Sequence, residues 1–217
     1  MRASEAFRES VGDAWSRAAR HAFVDQLGDG TLPAEAWRRY LIDDYAFITH
    51  LASILGAAIA SAPDMRAKAR LAGFLAALTS EENDFFLRSL DQLGVEEAEW
   101  RNAEMSPTMQ AFADHMHAAV RDHGYPGALA ALLPAEWIYL DWATWLTDAR
   151  PPPSAYTFQE WIWLHASPDF VAFVAWLGRE VDRTAADADA STVDAMQEIF
   201  ARMVELEVAF FDWSLGG

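Results

Sequence analysis

The 217-residue chain contains no cysteine. Disulfides, thiolate metal sites and a cysteine nucleophile are therefore excluded, and a cytoplasmic location is the plain expectation. Basic residues are scarce, with 16 Lys and Arg against 33 Asp and Glu and a net charge of −17. That balance argues against nucleic acid and anionic membrane surfaces as partners, while leaving room for a cationic or amine-bearing ligand. The N-terminal stretch lacks the apolar core of a secretory signal. The longest uncharged run, residues 45–63, is interrupted by Thr49, His50 and Ser53 and reads as a core helix rather than a membrane span. No Gly-rich phosphate loop, nucleophile elbow, zinc-ligand spacing or Glu-x-x-His pair occurs, so neither metal nor cofactor is expected.

Aromatic residues, by contrast, are plentiful: 13% of the chain, with ten Trp. A chain of this length buries roughly 70% of its unfolded surface, enough for one substantial core, and residues 1–217 read as a single helical domain. Helical periodicity runs over residues 4–27, with Ser4 as N-cap, and stops at a turn cluster over 28–33. Pro33 suits the first turn of a helix running to about Ser61. The next helix spans 65–93, kinked near Thr79 and Ser80, followed by a polar connection over 95–105. Further helices are expected over 106–122, 128–147, 157–164, 169–181 and 191–214, the last started by a capping signature at Ser191 and Thr192. A stiff Pro151-Pro152-Pro153 link lies between two of them. With no alternating strand, the fold class is an all-α bundle of seven to eight helices.

Three of these helices carry an acid in an apolar stripe. Trp37, Tyr40, Leu41, Phe47, Ile48 and Leu51 form one stripe with Asp44 in its middle. Asp43 turns the other way, onto a face shared with Arg39, and reads as a solvated partner of that arginine. Leu129, Leu132, Leu133, Leu140 and Ala143 enclose Glu136, with Tyr139 beside it. Phe200, Met203, Val204, Phe210 and Phe211 enclose Glu207, while Glu198, Arg202, Glu205 and Asp212 share the wet side. A single inward acid is more often a structural one bonded to Tyr, Trp or Arg. Three at once, among Tyr40, Tyr139, Phe47 and Phe210, point to a polar pocket within an aromatic wall, where the acids raise one another's pKa.

Other candidates carry less. His21 is a conceivable axial haem ligand, but a lone helical histidine usually caps or fills a core. Asp114, His115, His117, Asp122 and His123 resemble a metal cluster in print, yet their spacing scatters them around a helix. Trp137, Trp142 and Trp145 read as packing, in part an oligomer surface.

The whole pattern resembles the TenA/Thi-4 family (thiaminase II and aminopyrimidine aminohydrolases), which has a haem-oxygenase-like helical fold. The resemblance rests on His21-Ala-Phe-Val followed by residues 27–33, on Tyr40-Leu-Ile-x-Asp44-Tyr45, on Leu132-Leu-Pro134, on Trp161-Ile-x-x-His165-Ala-Ser and on Glu207-x-x-Phe210-Phe211. It implies a pocket for the aminopyrimidine half of thiamin breakdown products. Asp44 matches the aspartate that grips the ring nitrogen and exocyclic amine, Phe47 the stacking aromatic, Tyr139 the tyrosine of the fifth helix and Glu207 the catalytic glutamate. Phe112 falls at a further aromatic position, and His165 stands where the family has a tyrosine. Ala135 occupies the position of the catalytic cysteine of the better-known branch, and Glu136 follows it. The resemblance is thus to a branch in which glutamate replaces cysteine.

What this implies is hydrolysis of an aminopyrimidine, or its N-formyl form, to salvage the hydroxymethyl-pyrimidine for thiamin synthesis. Glu207 and Glu136 are the expected acid–base pair, and the partner is a small pyrimidine substrate. A homo-oligomer, dimer or tetramer, is expected by analogy. The alternative is a non-catalytic or regulatory relative that binds a small molecule, motivated by the changes at Phe112, Ala135 and His165.

Overall fold

A computed structural model describes residues 1–216 of the chain, and among these residues no strand occurs. The N-terminal periodic stretch is not one helix but three: α1 (Ala3–Ser10), α2 (Asp13–Ala19) and α3 (Ala22–Asp29). Ser4 is not the cap of α1; its amide instead donates to Asp182 at 2.9 Å. The chain breaks first at Gly12, with φ 52°, and again at Arg20 and His21. His21 caps α3: its Nδ1 accepts the Phe23 amide at 3.1 Å, and Nε2 lies 3.1 Å from an Asp212 carboxylate oxygen. Both ring nitrogens are thereby engaged, which fits the capping role and not that of a haem ligand.

The next helix, α4, runs over Ala34–Ser61 with Pro33 as its N-cap rather than within its first turn. It is long and apolar enough to cross a membrane by length and composition, but Trp37, Tyr40, Leu41, Ile54, Leu55 and Ala58 are buried in the protein core. Helix α5 (Met65–Ala77) starts at Asp64, whose carboxylate accepts the Ala67 amide at 2.8 Å. It passes into a π-helical turn over Leu78–Glu82 and then into α6 (Asn83–Gln92). The expected kink thus takes the form of a π turn. Its cause lies in the sequence: the Thr79 and Ser80 hydroxyls donate to the carbonyls of Leu75 and Ala76, at 2.8 and 2.6 Å. Such back-bonding competes with the regular ladder and bends a helix. A short helix, α7 (Glu97–Arg101), occupies the expected connection.

Residues Pro107–Ala149, labelled α8, form the two helices that were expected, as two arms meeting at a kink. The turn is reduced to one residue, Gly124 (φ 58°, ψ −135°), a backbone state that needs glycine. Gly127 lets the two arms close up, since a Cβ there would come within 2.1 Å of the Ala119 carbonyl oxygen. Then follow α9 (Tyr156–Ala166), α10 (Pro168–Asp187) and α11 (Ala190–Leu215). The cap of α11 is Asp189, which accepts the Thr192 amide at 2.8 Å, rather than the Ser191-Thr192 pair itself.

Helices α4, α8 and α11 pack together to form the centre of the molecule. Asp141 of α8 ties the N-terminal helices to it, accepting from Trp15 at 2.7 Å, Arg20 at 2.9 Å and Arg8 at 3.0 Å.

Asp43 is not the solvated residue its neighbourhood suggested. It is 3% exposed, and its two carboxylate oxygens accept the Ser106 amide and hydroxyl at 2.7 and 2.6 Å. The Ser106 hydroxyl in turn accepts the Met109 amide at 3.1 Å, capping α8. Arg39 turns away to Glu35 and to the Ser214 carbonyl. The second acid on α4 is therefore a structural one that fixes where α8 begins.

Candidate active site

One internal cavity takes residues from five elements: Asp44 and Phe47 of α4, Glu82 of the π turn, Phe112, Glu136 and Tyr139 of α8, His165 of α9, and Glu207 and Phe210 of α11. The eight site residues expected from the sequence thus line the same space. Ala135 and Trp161 complete part of the wall.

Three of the acids within are almost shut off from solvent, and Glu82 is partly buried. Asp44 and Glu136 are 8% exposed and Glu207 is 2% exposed. Removing a carboxylate from water penalises the charged form. Burial accordingly raises Asp44 to about 7, with the charge of Asp43 adding to the rise and the Tyr40 hydroxyl opposing it. Burial, reinforced by the Asp44 charge, raises Glu136 to about 8. Glu207 is held well above the carboxylate range by burial and then by Asp44 and Glu136. Its Oε2 has no hydrogen-bond partner in the protein. A buried unpaired carboxyl oxygen costs about 1–3 kcal/mol, so this atom is a place where a ligand donor would be stabilised.

Aromatic rings set the remaining walls. Phe47 and Phe112 meet edge to face with centroids 5.1 Å apart. The Tyr40 and Tyr139 hydroxyls are hydrogen-bonded at 2.8 Å, and Tyr40 also packs on Phe210 at 5.1 Å. His165 lies 4.8 Å from the Tyr139 ring. Its Nδ1 is 2.9 Å from the Trp161 carbonyl oxygen, which can only accept, so Nδ1 carries the proton and Nε2 is left as an acceptor. Burial lowers His165 to about 4, so its imidazole is neutral at physiological pH.

Glu82 is the cavity acid that the sequence reading passed over. Burial, then the charges of Glu136 and Asp44, hold it well above the ordinary carboxylate value. The signal was present, since Glu82 stands four residues after buried Leu78 and three before buried Phe85. That is the same inward slot that singled out Asp44. The histidines and acids of α8 do not gather: among the described residues, no group of three or more His, Asp or Glu is placed to hold a metal ion.

The TENA/THI-4/PQQC family model matches residues 8–216. The chain is 27% identical over 205 residues to an aminopyrimidine aminohydrolase of Bacillus subtilis (strain 168), covering 94% of this chain and 83% of that protein. It is 24% identical over 216 residues to an aminopyrimidine aminohydrolase of Helicobacter pylori, covering 98% of each. Its fold matches that of a TenA homologue from P. horikoshii OT3, with a TM-score of 0.87, 24% identity and complete coverage of both chains. A TenA family transcription regulator from Silicibacter sp. TM1040 matches with a TM-score of 0.89 and 24% identity, over 99% of this chain and 97% of that one. The chain belongs to the TENA/THI-4/PQQC family.

Proposed function

We propose that the protein is a C–N hydrolase acting on an aminopyrimidine, or on its N-formyl form, in thiamin metabolism. The observation that carries the reading is the unpartnered Glu207 Oε2 in a ring-lined cavity that also holds Asp44 and Glu136. The names of the two aminohydrolase relatives support it.

In this reading Asp44 accepts two N–H groups from the amidine-like edge of the pyrimidine. Its charged form favours ring protonation and makes the ring a better electron sink. Phe47 and Phe112 flank the ring, with Tyr139 and Phe210 closing the pocket. Glu136 removes a proton from water as general base, and the water oxygen bonds to the exocyclic methylene carbon. The carbon–nitrogen bond breaks as Glu207, protonated at neutral pH, gives its proton to the departing nitrogen. From the aminopyrimidine the products are the hydroxymethyl-pyrimidine and ammonia; from the N-formyl form the same cleavage releases formamide. A glutamate raised to about 8 suits a proton carrier operating near neutrality. With Ala135 in the wall, no step runs through a cysteine adduct.

The test is ammonia release from the aminopyrimidine. Glu207→Gln and Glu136→Gln should each lose about 10²–10⁴-fold in kcat, and pH–rate profiles of the two variants separate the acid from the base. Unchanged rates in both would remove the assignment. A second reading, ligand binding without turnover, is favoured by the same Ala135 and by His165 in place of a tyrosine. It predicts calorimetric binding of the aminopyrimidine with no ammonia formed.

A further inference from the structure

The histidines and acids of α8 do not gather with one another, but one of them meets a histidine of another helix. His50 projects from α4 and His117 from α8, and His50 Nδ1 lies 3.3 Å from His117 Nε2. The rings meet at a steep angle, 72° between planes, with centroids 5.5 Å apart. Among the described residues, the other ring nitrogens, His50 Nε2 and His117 Nδ1, make no hydrogen bond within the protein. Each ring is therefore free to take the tautomer that presents a lone pair toward its neighbour.

The spacing of the pair suits a metal ion. Zn²⁺ binds imidazole nitrogen at about 2.0–2.1 Å with tetrahedral angles, which sets two such nitrogens roughly 3.3 Å apart. The side chains already stand at that bite. Burial, reinforced by the His50 charge, lowers His117 below the ordinary imidazole value, and the neutral ring is the form that ligates a metal. His50 also lines an open surface cleft of about 670 Å³ with Tyr45, Thr49, Trp100 and Glu104. The cleft gives an ion its way in, and the net charge of −17 draws cations to the surface. Asp114, one turn before His117 on α8, is close enough for its charge to act on that ring.

We propose that His50 and His117 form a two-histidine site for a divalent transition cation such as Zn²⁺, which clamps α4 to α8. His50 Nδ1 and His117 Nε2 supply two of the four positions, water fills the others, and Asp114 accepts a hydrogen bond from one of those waters. The clamp lies close to the cavity wall along both helices. His50 follows Phe47 by three positions and His117 follows Phe112 by five, and Phe47 and Phe112 are themselves in contact. Binding thus ties the two helices together just beyond the rings that wall the acid cavity. No acid of that cavity takes part, so the site stands apart from the hydrolase reading.

The experiment uses the untagged full-length protein, freed of metal by chelation, and titrates Zn²⁺ by calorimetry alongside thermal melts. The wild type should take one Zn²⁺ per chain, and Zn²⁺ should raise its Tm. His50→Ala and His117→Ala should each weaken binding at least 10-fold and abolish the Tm rise. His123→Ala, at an exposed histidine outside the pair, should leave both unchanged. His50→Gln and His117→Gln stand in for an alanine variant that does not fold. No saturation below about 1 mM Zn²⁺ would mean that the contact is an N–H···N hydrogen bond alone, and it overturns the site. So does a Zn²⁺ affinity that both histidine variants retain, which would put the ion on the cavity acids or the surface instead.

Discussion

The buried carboxyls make folding stability fall as pH rises through neutrality. An Asp or Glu in the unfolded chain titrates near 4, whereas Asp44 and Glu136 are raised to about 7 and about 8 in the folded protein. Between those limits the native state holds protons that the unfolded state has released, so the stabilisation is complete at low pH and is lost as pH climbs through the folded values. From pH 6.5 to 8, integrating the two curves gives a loss of about 2 kcal/mol, with Glu136 the larger part. The histidines act in the opposite sense. Burial lowers His165, His115 and His117 below the ordinary imidazole value, so the unfolded chain binds protons that the native one does not. Over the same window His165 returns about 0.4 kcal/mol. Glu207 and Glu82, held well above the carboxylate range by burial and the neighbouring acids, act in the same direction as Asp44 and Glu136. Asp44, Glu136 and His165 together give a fall of about 2 kcal/mol, or roughly 4–8 °C in Tm for a chain of this size. Calorimetric melts at pH 6.5, 7.25 and 8 in matched ionic strength measure it, and Glu136→Gln should flatten the curve more than Asp44→Asn. A Tm that holds level or rises over this range would refute the reasoning, because it would mean the cavity acids are ionised in the native state.

Three further outcomes follow from the packing. Asp43→Ala strands the buried Ser106 amide and hydroxyl and should cost about 2–3 kcal/mol in chemical denaturation; a loss under 0.5 kcal/mol would return Asp43 to the surface role. Asp141→Ala removes the acceptor shared by Trp15, Arg8 and Arg20 and should lower stability by about 2 kcal/mol, with faster hydrogen exchange in α1 and α2 as the local signature. Gly73→Ala, in α5 where a Cβ would meet nothing within 4 Å, should raise stability by about 1 kcal/mol; a destabilised variant would mean that this stretch of α5 is not an open helix face.

The inward acids were legible because one helix fixes the direction of each side chain from its own neighbours. Asp44, Glu136 and Glu207 each break an apolar stripe, and a stripe is a local property. Asp43 was illegible for the complementary reason. Its partner, Ser106, lies 63 positions away, and nothing in the helical period around Arg39 announces a cap donated across the fold. The same holds for helix boundaries. Residues 4–27 kept their apolar rhythm across the breaks at Gly12 and Arg20, because all three short helices bury the same side. At Gly124 the turn signals were real, and the two helices meet there across a single positive-φ residue instead of a five-residue turn. Glu82 was missed although local, since Thr79 and Ser80 drew the reading toward a kink and away from the acid beside it.

Four acids in one apolar cavity have no explanation as scaffold. A structural acid is bonded on both oxygens, as Asp43 is to Ser106, and the fold satisfies it without leaving a charge to be neutralised. Glu207 has an oxygen with no partner, and it sits against Asp44 and Glu136, whose charges push it further from ionisation. Replacing it by an amide or a hydrocarbon of similar size would relieve that repulsion and cost the core little. Stability alone therefore favours losing these carboxyls, most of all above pH 7, where the native state must either hold their protons or accept buried charge. On the proposed reading, the ligand that enters the cavity is rich in N–H donors and able to take a proton, and it supplies the hydrogen bonds and the positive charge that the surrounding rings cannot.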